Sequence, residues 1–317
     1  MEKILQKIKE YNRIIIHGHT RPDGDCIGSQ FGLYNILKAS FPEKEIYITG
    51  ETSNYVSFVG APTVLEDESL FKGALSICVD CAGKDRLSDP RIDLADYSIK
   101  IDHHPAVDQY CDYNYVDTDA PACAQIITEF ALKFSNELVL NKEAATALYV
   151  GISTDTGRFK FDSVTSKTFN TAGTLVDHGV DLGYVDNHLS VETLQTLKLR
   201  GYVLSTFKMT DEGFAYIVMD RKTIETYGVS DEDAAAQVST ISTVEGCPVW
   251  AIFIEYPDNE IRIRLRSRGP VINELATKYS GGGHPKAAGA KLENWEQLPV
   301  FIKDADELLK NFKKNLQ

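Results

Sequence analysis

The first half of the chain alternates short β-branched runs with stretches of helical periodicity. The strand-like runs cover residues 13–17, 45–49, 75–79 and 97–101. The clearest helical stretches cover residues 26–39, 122–134, 142–151 and 165–178. Helices that connect successive strands are typical of parallel sheets. We therefore predict an α/β fold, with a mostly parallel sheet, helices on both faces and ligands at the carboxyl ends of the strands.

The second half of the chain has a different pattern. Strand-like runs at 214–219, 249–256 and 260–267 favour a smaller α/β domain with an antiparallel or mixed sheet. Between the two halves, the spacing of the apolar residues Leu194, Leu197 and Tyr202 predicts one long connecting helix over residues 189–206. A length of 317 residues accommodates two such domains, each with its own core.

The composition limits the cellular compartments and the binding partners that we expect for this protein. A net charge of −13 excludes a generally basic surface that coats nucleic acid, but it is compatible with a local phosphate site. The longest apolar run, residues 249–254, has six residues, whereas a membrane helix needs ~18. The charged N-terminal stretch lacks the apolar region of a secretion signal. We expect a cytoplasmic protein without membrane association.

The cysteines do not indicate a disulfide framework, because six in 317 residues is sparse. Cys78 and Cys81 form a C-x-x-C pair, which raises the alternatives of a redox pair or half a zinc site. No second pair completes a zinc site, and Cys78 lies in an apolar run. We interpret both as buried packing residues in a reduced protein.

Metal-capable side chains gather where the predicted strands of the first half end. They are His19, Asp23 and Asp25 after run 13–17, Asp80 after run 75–79, Asp102, His103 and His104 after run 97–101, and Asp155 after the apolar run 147–152. If the sheet is parallel, these four groups lie at one edge. A single Asp in such a place is usually a helix or turn cap. Four groups at successive strand ends favour a shared site.

Such a cluster needs compensating positive charge, because carboxylates a few ångströms apart raise one another's pKa. Two divalent cations balance the four carboxylates of Asp23, Asp25, Asp80 and Asp155. Oxygen-rich ligand sets with some imidazole suit Mn²⁺, with Mg²⁺, Co²⁺ or Fe²⁺ as alternatives. A pair of such ions lowers the pKa of a shared water and stabilises displacement at phosphorus. The pattern alone does not divide the ligands between two metals, nor does it distinguish His103 from His104.

These residues resemble the motifs of the DHH phosphoesterase superfamily. HTRPDGD from His19 is similar to its first motif, Asp80 to the second, the DHH of residues 102–104 to the third and TDT of residues 154–156 to the fourth. SGGGHPKAAGA, residues 280–290, resembles the glycine-rich motif of the DHH-associated substrate domain. The motifs occur in family order and span nearly the whole chain.

The resemblance implies a domain organisation and a reaction. We expect a DHH metal-binding catalytic domain over residues 1–188, a connecting helix or linker over 189–208, and a DHH-associated substrate-binding domain over 209–317. The chain looks most like the nanoRNase and pAp phosphatase branch, whose members degrade very short oligoribonucleotides and remove the 3′-phosphate of 3′-phosphoadenosine 5′-phosphate (pAp). The implied mechanism is two-metal hydroxide attack at phosphorus, on a substrate held between two domains that open and close.

The resemblance also implies a role for each residue. One metal is assigned to His19 and Asp23, the other to Asp25, His103 and Asp155, and Asp80 bridges the two. His104 faces the scissile phosphate as a hydrogen-bond donor and is catalytic together with Asp80. Asp102 orients a neighbouring imidazole.

A basic segment in the second half is the candidate substrate contact. Arg262, Arg264 and Arg266 alternate with apolar residues and therefore share one strand face. Residues 260–288 contain six Lys or Arg and two Glu. The alternative to a substrate-binding surface is a sheet face that is simply exposed to solvent. The resemblance favours as substrate-binding residues Arg266, Ser267, Gly281, Gly282, Gly283 and His284. Arg158, three residues past Asp155, is a further candidate for a phosphate contact.

Several functions remain open from the sequence. Relatives in the superfamily cleave the linear dinucleotide pApA or cyclic di-AMP, and a nucleotide-binding protein without catalysis is an alternative from another class. An inorganic pyrophosphatase is disfavoured by the GGGH segment, and an exonuclease on long single strands is disfavoured by the acidic surface. We expect short RNA, mononucleotide or dinucleotide substrates and no long duplex. The oligomeric state is open, a homodimer included.

Overall fold

The computed structural model describes residues 1–105 and 108–315. The chain divides into two compact units, Met1–Val191 and Glu192–Gln317. Each unit buries its own set of apolar side chains, with the first core centred on strand isoleucines such as Ile14, Ile77 and Ile99 and the second including Phe214, Phe253 and Phe301. Within the described residues, none of the helices combines the length and apolar character that a bilayer crossing requires.

The first unit contains a five-stranded, all-parallel sheet. Its strands are β1 (Arg13–His17), β2 (Glu45–Thr49), β3 (Ala74–Val79), β4 (Tyr97–Asp102) and β5 (Tyr113–Val116). The order is β2-β1-β3-β4-β5, and every neighbouring pair is parallel. The central strand β3 is buried along its whole length, because helices cover both faces of a parallel sheet. The predicted α/β class is confirmed.

The first unit also contains six α-helices among the described residues. They are α1 (Glu2–Glu10), α2 (Gly24–Ser40), α3 (Cys123–Lys133), α4 (Lys142–Asp155), α5 (Ser166–Asp177) and α6 (Leu182–Ser190). Asp155 is the last residue of α4, so the expectation that it follows a strand is wrong. The apolar run that precedes it belongs to this helix, in agreement with the helical pattern predicted over residues 142–151.

The predicted long helix over residues 189–206 is two helices. Helix α6 ends at Ser190, and α7 (Leu194–Thr206) begins after three intervening residues. Thr193 is extended, and its hydroxyl accepts a hydrogen bond from the backbone N–H of Thr196. This N-cap starts a new helix where the apolar spacing alone predicts continuity. The break coincides with the division between the two units.

The second unit contains a six-stranded mixed sheet. Its strands are β6 (Lys208–Met209), β7 (Phe214–Met219), β8 (Val249–Glu255), β9 (Ile261–Ser267), β10 (Gly282–His284) and β11 (Ala287–Leu292), in the order β10-β11-β9-β8-β7-β6. Only β7 and β8 pair in parallel; the other described pairs are antiparallel. The remaining helices are α8 (Arg221–Tyr227), α9 (Asp231–Ala236), α10 (Asn273–Lys278) and α11 (Leu298–Lys314). The predicted smaller α/β domain with a mixed sheet is confirmed.

Candidate metal centre and substrate contacts

The ends of three adjacent strands, β1, β3 and β4, form one edge of the first sheet. In register, His17 at the end of β1 lies beside Cys78, and Val79 at the end of β3 lies beside Ile101. The residues that follow these strands therefore leave the sheet side by side. This edge brings together the His19 loop, Asp80 and the DHH segment, as expected for ligands at the carboxyl ends of parallel strands.

Asp80 lies at the centre of the cluster. One of its oxygens, Oδ2, is 3.6 Å from His19 Nε2, and the other, Oδ1, is 3.4 Å from His103 Nε2. Asp80 is 2% exposed, and its backbone φ of +53° is in the left-handed region. Asp tolerates this conformation better than most residues, and strained backbone of this kind is frequent at functional sites.

Asp25 and Asp155 complete the other side of the cluster. His103 Nε2 lies 3.8 Å from Asp25 Oδ2 and 3.4 Å from Asp155 Oδ2. Asp25 is buried and accepts hydrogen bonds from the backbone N–H groups of Cys123 and Ala124, at the start of α3. The positive end of the α3 dipole therefore helps to hold this buried carboxylate.

Asp23 joins the cluster from the start of α2. Its Oδ1 caps the helix by accepting from the N–H groups of Asp25 and Cys26, each at 3.0 Å, and lies 3.8 Å from His19 Nε2. The ordinary capping role of Asp is thus present at this residue, and it does not exclude a second role, because Oδ2 takes no part in the cap. All six residues predicted as metal ligands lie together in the structure.

Close packing of α2 against α4 brings Asp155 to the sheet edge. A Cβ on Gly28 would lie 2.5 Å from the carbonyl oxygen of Ala147, and a Cβ on Gly151 would lie 2.8 Å from Asp25 Oδ1. Real side chains do not approach this closely, so glycine is required for the helices to meet here. The helix that carries Asp155 depends on these contacts for its position.

We expect Gly28→Ala to lower the free energy of unfolding by about 1–3 kcal/mol, because the added methyl group forces α2 and α4 apart. Urea denaturation measures the change. Gly173→Ala in α5 is the matched control, since among the described residues no atom outside its own helix backbone and its chain neighbours lies within 4 Å of the added Cβ. That control gains up to about 1 kcal/mol from helix propensity. Equal stability of the two variants would contradict the close-packing argument.

The two imidazoles are oriented by backbone carbonyls. The Nδ1 atom of His19 lies 2.9 Å from the carbonyl oxygen of Thr20, and Nδ1 of His103 lies 3.2 Å from that of Ala120. A carbonyl only accepts, so the hydrogen bonds assign the proton to Nδ1 in both rings. The lone pair of each Nε2 then faces the carboxylates, which is the tautomer that a metal ligand needs.

Burial and the charges of the cluster together raise the pKa of three of its members. Burial raises the pKa of Asp25, and the nearby charges of Asp80 and Asp155 raise it further. Burial raises the pKa of Asp155 to about 6. Burial lowers the pKa of His103, but the close approach of Asp80 and the charges of Asp25 and Asp155 outweigh this and raise it to about 10. The cluster therefore attracts positive charge.

The donor set suits divalent cations. Ligand atoms of Asp25, His103 and Asp155 lie within 4.8 Å of one another, as do those of His19, Cys26 and Asp80. Asp80 Oδ1 is buried and, among the described residues, receives no hydrogen bond, an arrangement that a bound cation would satisfy. Sequence reasoning did not include Cys26. Burial raises the pKa of its thiol to about 11, which disfavours the thiolate that binds metals.

His104 differs from His103 in what its ring contacts. Its Nδ1 lies 2.8 Å from Asp102 Oδ1, and that hydrogen bond raises the pKa of His104. The same Asp102 oxygen accepts from the backbone N–H of His103 at 2.9 Å. The His104 side chain is 42% exposed, so its Nε2 edge is available to a ligand. Asp102 thus holds the imidazole of His104 in a fixed orientation.

In the second unit, Arg264 and Arg266 differ from the neighbouring Arg262 in their charged contacts. Arg262 is paired with Glu260 and stacks on Tyr256, with its guanidinium carbon 4.0 Å from the ring centroid. Neither Arg264 nor Arg266 has an ion-pair partner within the described part of the chain. Burial and the charge of Arg264 lower the pKa of Arg266. These two guanidinium groups are the ones best able to bind an external anion.

The other predicted substrate contacts have defined positions in this unit. The Ser267 hydroxyl donates to the carbonyl of Pro270 at 2.6 Å, so its proton is engaged within the protein. Residues 282–284 form the short strand β10 rather than a turn, and β10 is an edge strand. A Cβ on Gly281 would lie 2.0 Å from the carbonyl oxygen of Gly289. His284 is exposed.

Arg158 lies in a setting that the sequence did not reveal, whereas the cysteines are buried as expected. Arg158 donates to Asp186, to the hydroxyl of Ser190 and to the carbonyl of Leu189, which anchors it to α6 and weakens the case for a phosphate contact. All six cysteines are free and buried, including Cys78 and Cys81. Sequence reasoning also missed Lys100, a fully buried cation in β4, although a lysine within an apolar strand is a visible signal.

A parallel sheet that collects carboxylates and imidazoles at its carboxyl edge defines an α/β protein with a candidate divalent-metal centre. Residues 13–152 match the DHH family, N-terminal domain, and residues 212–311 match the DHHA1 domain. The chain therefore belongs to the DHH family and carries a DHHA1 domain.

Two bacterial proteins are similar in sequence to this chain over nearly its whole length. The probable bifunctional oligoribonuclease and PAP phosphatase NrnA of Streptococcus mutans is 39% identical, over 97% of this chain and 98% of that protein. The bifunctional oligoribonuclease and PAP phosphatase NrnA of Bacillus subtilis is 37% identical over the same shares. The crystal structure of an exopolyphosphatase-related protein from Bacteroides fragilis has a TM-score of 0.85 at 23% identity and covers 99% of this chain and 96% of its own; this likeness shows the fold alone.

Proposed function

We propose that the protein is a metal-dependent phosphoesterase that hydrolyses very short oligoribonucleotides and removes the 3′-phosphate of pAp. The enzyme class, a hydrolase of phosphoester bonds, follows from its membership of the DHH family and from its bifunctional relatives. The observation that carries the proposal is the convergence on Asp80, whose two oxygens face His19 Nε2 and His103 Nε2 at 3.6 and 3.4 Å.

Two divalent cations fit this site best, with Mn²⁺ preferred. One ion would be held by His19 and Asp23. The other would be held by Asp25, His103 and Asp155, and Asp80 would bind both ions. When bound, such ions supply a nucleophile from water at neutral pH and neutralise the charge that develops on the phosphate. The backbone hydrogen bonds to His19, His103 and Asp25 keep these side chains in position without a ligand, which lowers the cost of reorganisation during the reaction.

His104 is the proposed catalytic donor. Its Nδ1–H donates to Asp102, which leaves Nε2 at the exposed edge of the ring. A protonated Nε2 donates to a non-bridging phosphate oxygen and stabilises the charge that forms there in the transition state. The raised pKa of His104 favours that protonated form at neutral pH.

The second unit is the proposed substrate-binding domain. Arg266 would bind a phosphate or base, and the exposed edge strand β10, with His284, would contact the nucleotide. The proton of the Ser267 hydroxyl is already donated to Pro270, so we propose that Ser267 positions the adjacent backbone and accepts, rather than donates, toward substrate. A substrate of a few nucleotides matches these few contacts on an acidic protein.

One panel of substrates tests the proposal. Purified protein is incubated with pAp, a dinucleotide, pApA, cyclic di-AMP and pyrophosphate, each with Mn²⁺, Mg²⁺ or chelator. We expect release of AMP from pAp and of mononucleotides from the dinucleotide, with Mn²⁺ best and no turnover in chelator. Tight pApA binding without turnover in excess Mn²⁺ would support a nucleotide-binding protein instead. Turnover of pyrophosphate alone would support a pyrophosphatase.

We expect Arg266→Gln to raise KM for pAp by about 10–100-fold, with a smaller effect on kcat, because it removes a charge-assisted contact to the substrate. Steady-state kinetics measure both constants. Arg262→Gln is the matched control, since its guanidinium is already paired with Glu260 and lies on the same strand face. A larger rise in KM in the Arg262 variant would show that Arg262, and not Arg266, contacts the substrate anion.

A further inference from the structure

A lysine is buried at the centre of the first sheet. Lys100 lies in β4 between Cys78 of β3 and Asn114 of β5, and it is 0% exposed. Fully buried lysines are rare, because the ammonium group loses its hydration and must be compensated by the protein. What compensates this ammonium group connects it to the candidate active site.

The ammonium group of Lys100 has three acceptors around it. Its Nζ donates to the carbonyl oxygen of Ala82 at 2.9 Å and to that of Asp108 at 3.2 Å, and it lies 3.1 Å from Asp102 Oδ2. The two carbonyl oxygens accept hydrogen bonds, and Asp102 supplies the opposite charge as an ion-pair partner. The ring of Tyr110 adds a cation–π contact, with its centroid 5.1 Å from Nζ.

Each of these acceptors belongs to a segment of the candidate site. Ala82 follows Asp80 by two residues, and Asp108 follows His104 by four. Asp102 uses its second oxygen, Oδ1, to accept from His104 Nδ1 at 2.8 Å. Lys100, Asp102 and His104 therefore form a continuous chain from the buried ammonium group to the exposed imidazole.

We propose that Lys100 is a positioning residue for His104, acting through Asp102; this inference rests on the proposed phosphoesterase function. The ammonium group lies 3.1 Å from Asp102 Oδ2 and holds the carboxylate in one orientation. The fixed carboxylate sets the tautomer and direction of the His104 ring. The two carbonyl contacts tie together the segments that leave β3 and β4.

Lys44 provides a matched control within the same unit. It is also buried, at 6% exposure, and its Nζ donates to the carbonyl oxygens of Lys9 and Tyr11. These carbonyls belong to α1 and the segment after it, and the Nζ of Lys44 has no carboxylate partner among the described ion pairs. Lys44→Met therefore removes a buried ammonium group of similar kind without touching the chain to His104.

The test compares Lys100→Met, Lys100→Arg, Lys44→Met and His104→Ala with pAp in excess Mn²⁺. We expect Lys100→Met to lower kcat by about 10–100-fold with KM nearly unchanged, Lys100→Arg to recover part of the loss, and Lys44→Met to keep the wild-type kcat even if its melting temperature falls. The double variant Lys100→Met/His104→Ala is expected to be no slower than His104→Ala, because both changes remove the same contribution.

Two results would overturn the inference: a wild-type kcat in Lys100→Met, or a double variant slower than His104→Ala by the full factor of the single change. If Lys100→Met does not fold, Lys100→Met/Asp102→Asn, which removes both buried charges, is compared with Asp102→Asn. The same kcat in these two variants supports the chain, and a further loss overturns it. Failure of the proposed function is a separate outcome, since the wild-type protein would then not turn over pAp at all.

Discussion

Asp80→Asn is expected to lower kcat for pAp and dinucleotides by on the order of 10³-fold or more. The substitution keeps the shape of the side chain but removes the charge that both sides of the cluster share, since Asp80 faces His19 with one oxygen and His103 with the other. We also expect loss of Mn²⁺ binding, measured by calorimetry. Circular dichroism checks that the fold is retained.

Asp89→Asn is the matched control for that experiment. Asp89 is a buried carboxylate of the same unit, 5% exposed, and it accepts hydrogen bonds from Arg91 and from the hydroxyl of Thr49. Its variant is expected to lose stability but to keep turnover and Mn²⁺ binding. Full activity in Asp80→Asn, or equal loss of turnover in both variants, would refute the central place of Asp80.

The second large effect concerns the metal-free protein, whose thermal stability is expected to fall as the pH rises. The pKa of His103 in the folded protein, about 10, is above its ordinary value of 6.5, so its contribution to stability is complete below pH 6.5 and is lost as the pH rises through 10. Asp155 acts in the same direction, with a pKa raised from 3.8 to about 6, and its contribution is lost as the pH rises through 6. We expect a fall in melting temperature on the order of 5 °C between pH 6 and pH 9.

Mn²⁺ is expected to reverse this trend, because metal ligands bind in their deprotonated forms and the ion gains affinity as protons leave. The stabilisation by excess Mn²⁺ should therefore grow between pH 6 and pH 9, as measured by differential scanning fluorimetry. The Asp80→Asn variant serves as the control and is expected to show little shift. A metal-induced shift that is the same at every pH would contradict this account of the cluster.

The sequence was sufficient to predict the parallel sheet and the residues at its carboxyl edge. Runs such as residues 13–17 and 75–79 are β-branched and bounded by polar residues, so their identity as strands is a local property. The convergence of His19, Asp80 and His103 then follows from the parallel topology. Their assignment as metal ligands stays a prediction, supported by the tautomers that the backbone carbonyls impose.

The features that were missed depend on contacts distant in the sequence. Strand β5 is short and only partly buried. Its sequence YNYV therefore lacks the apolar run from which a buried strand is predicted. Asp155 reaches the site from a helix because Gly28 and Gly151 allow α2 and α4 to meet, a contact that no local pattern reports. The proposed role of Lys100 depends on the carbonyl oxygens of Ala82 and Asp108, which come close to it only when the sheet is assembled.

The origin of Asp155 in α4 has a consequence for biosynthesis. The first candidate ligand, His19, and the last, Asp155, are separated by more than a hundred residues, and the cluster needs both. A nascent chain on the ribosome therefore cannot assemble the complete centre until α4 has emerged and packed against α2. Until then, the growing polypeptide carries only a partial set of the candidate ligands.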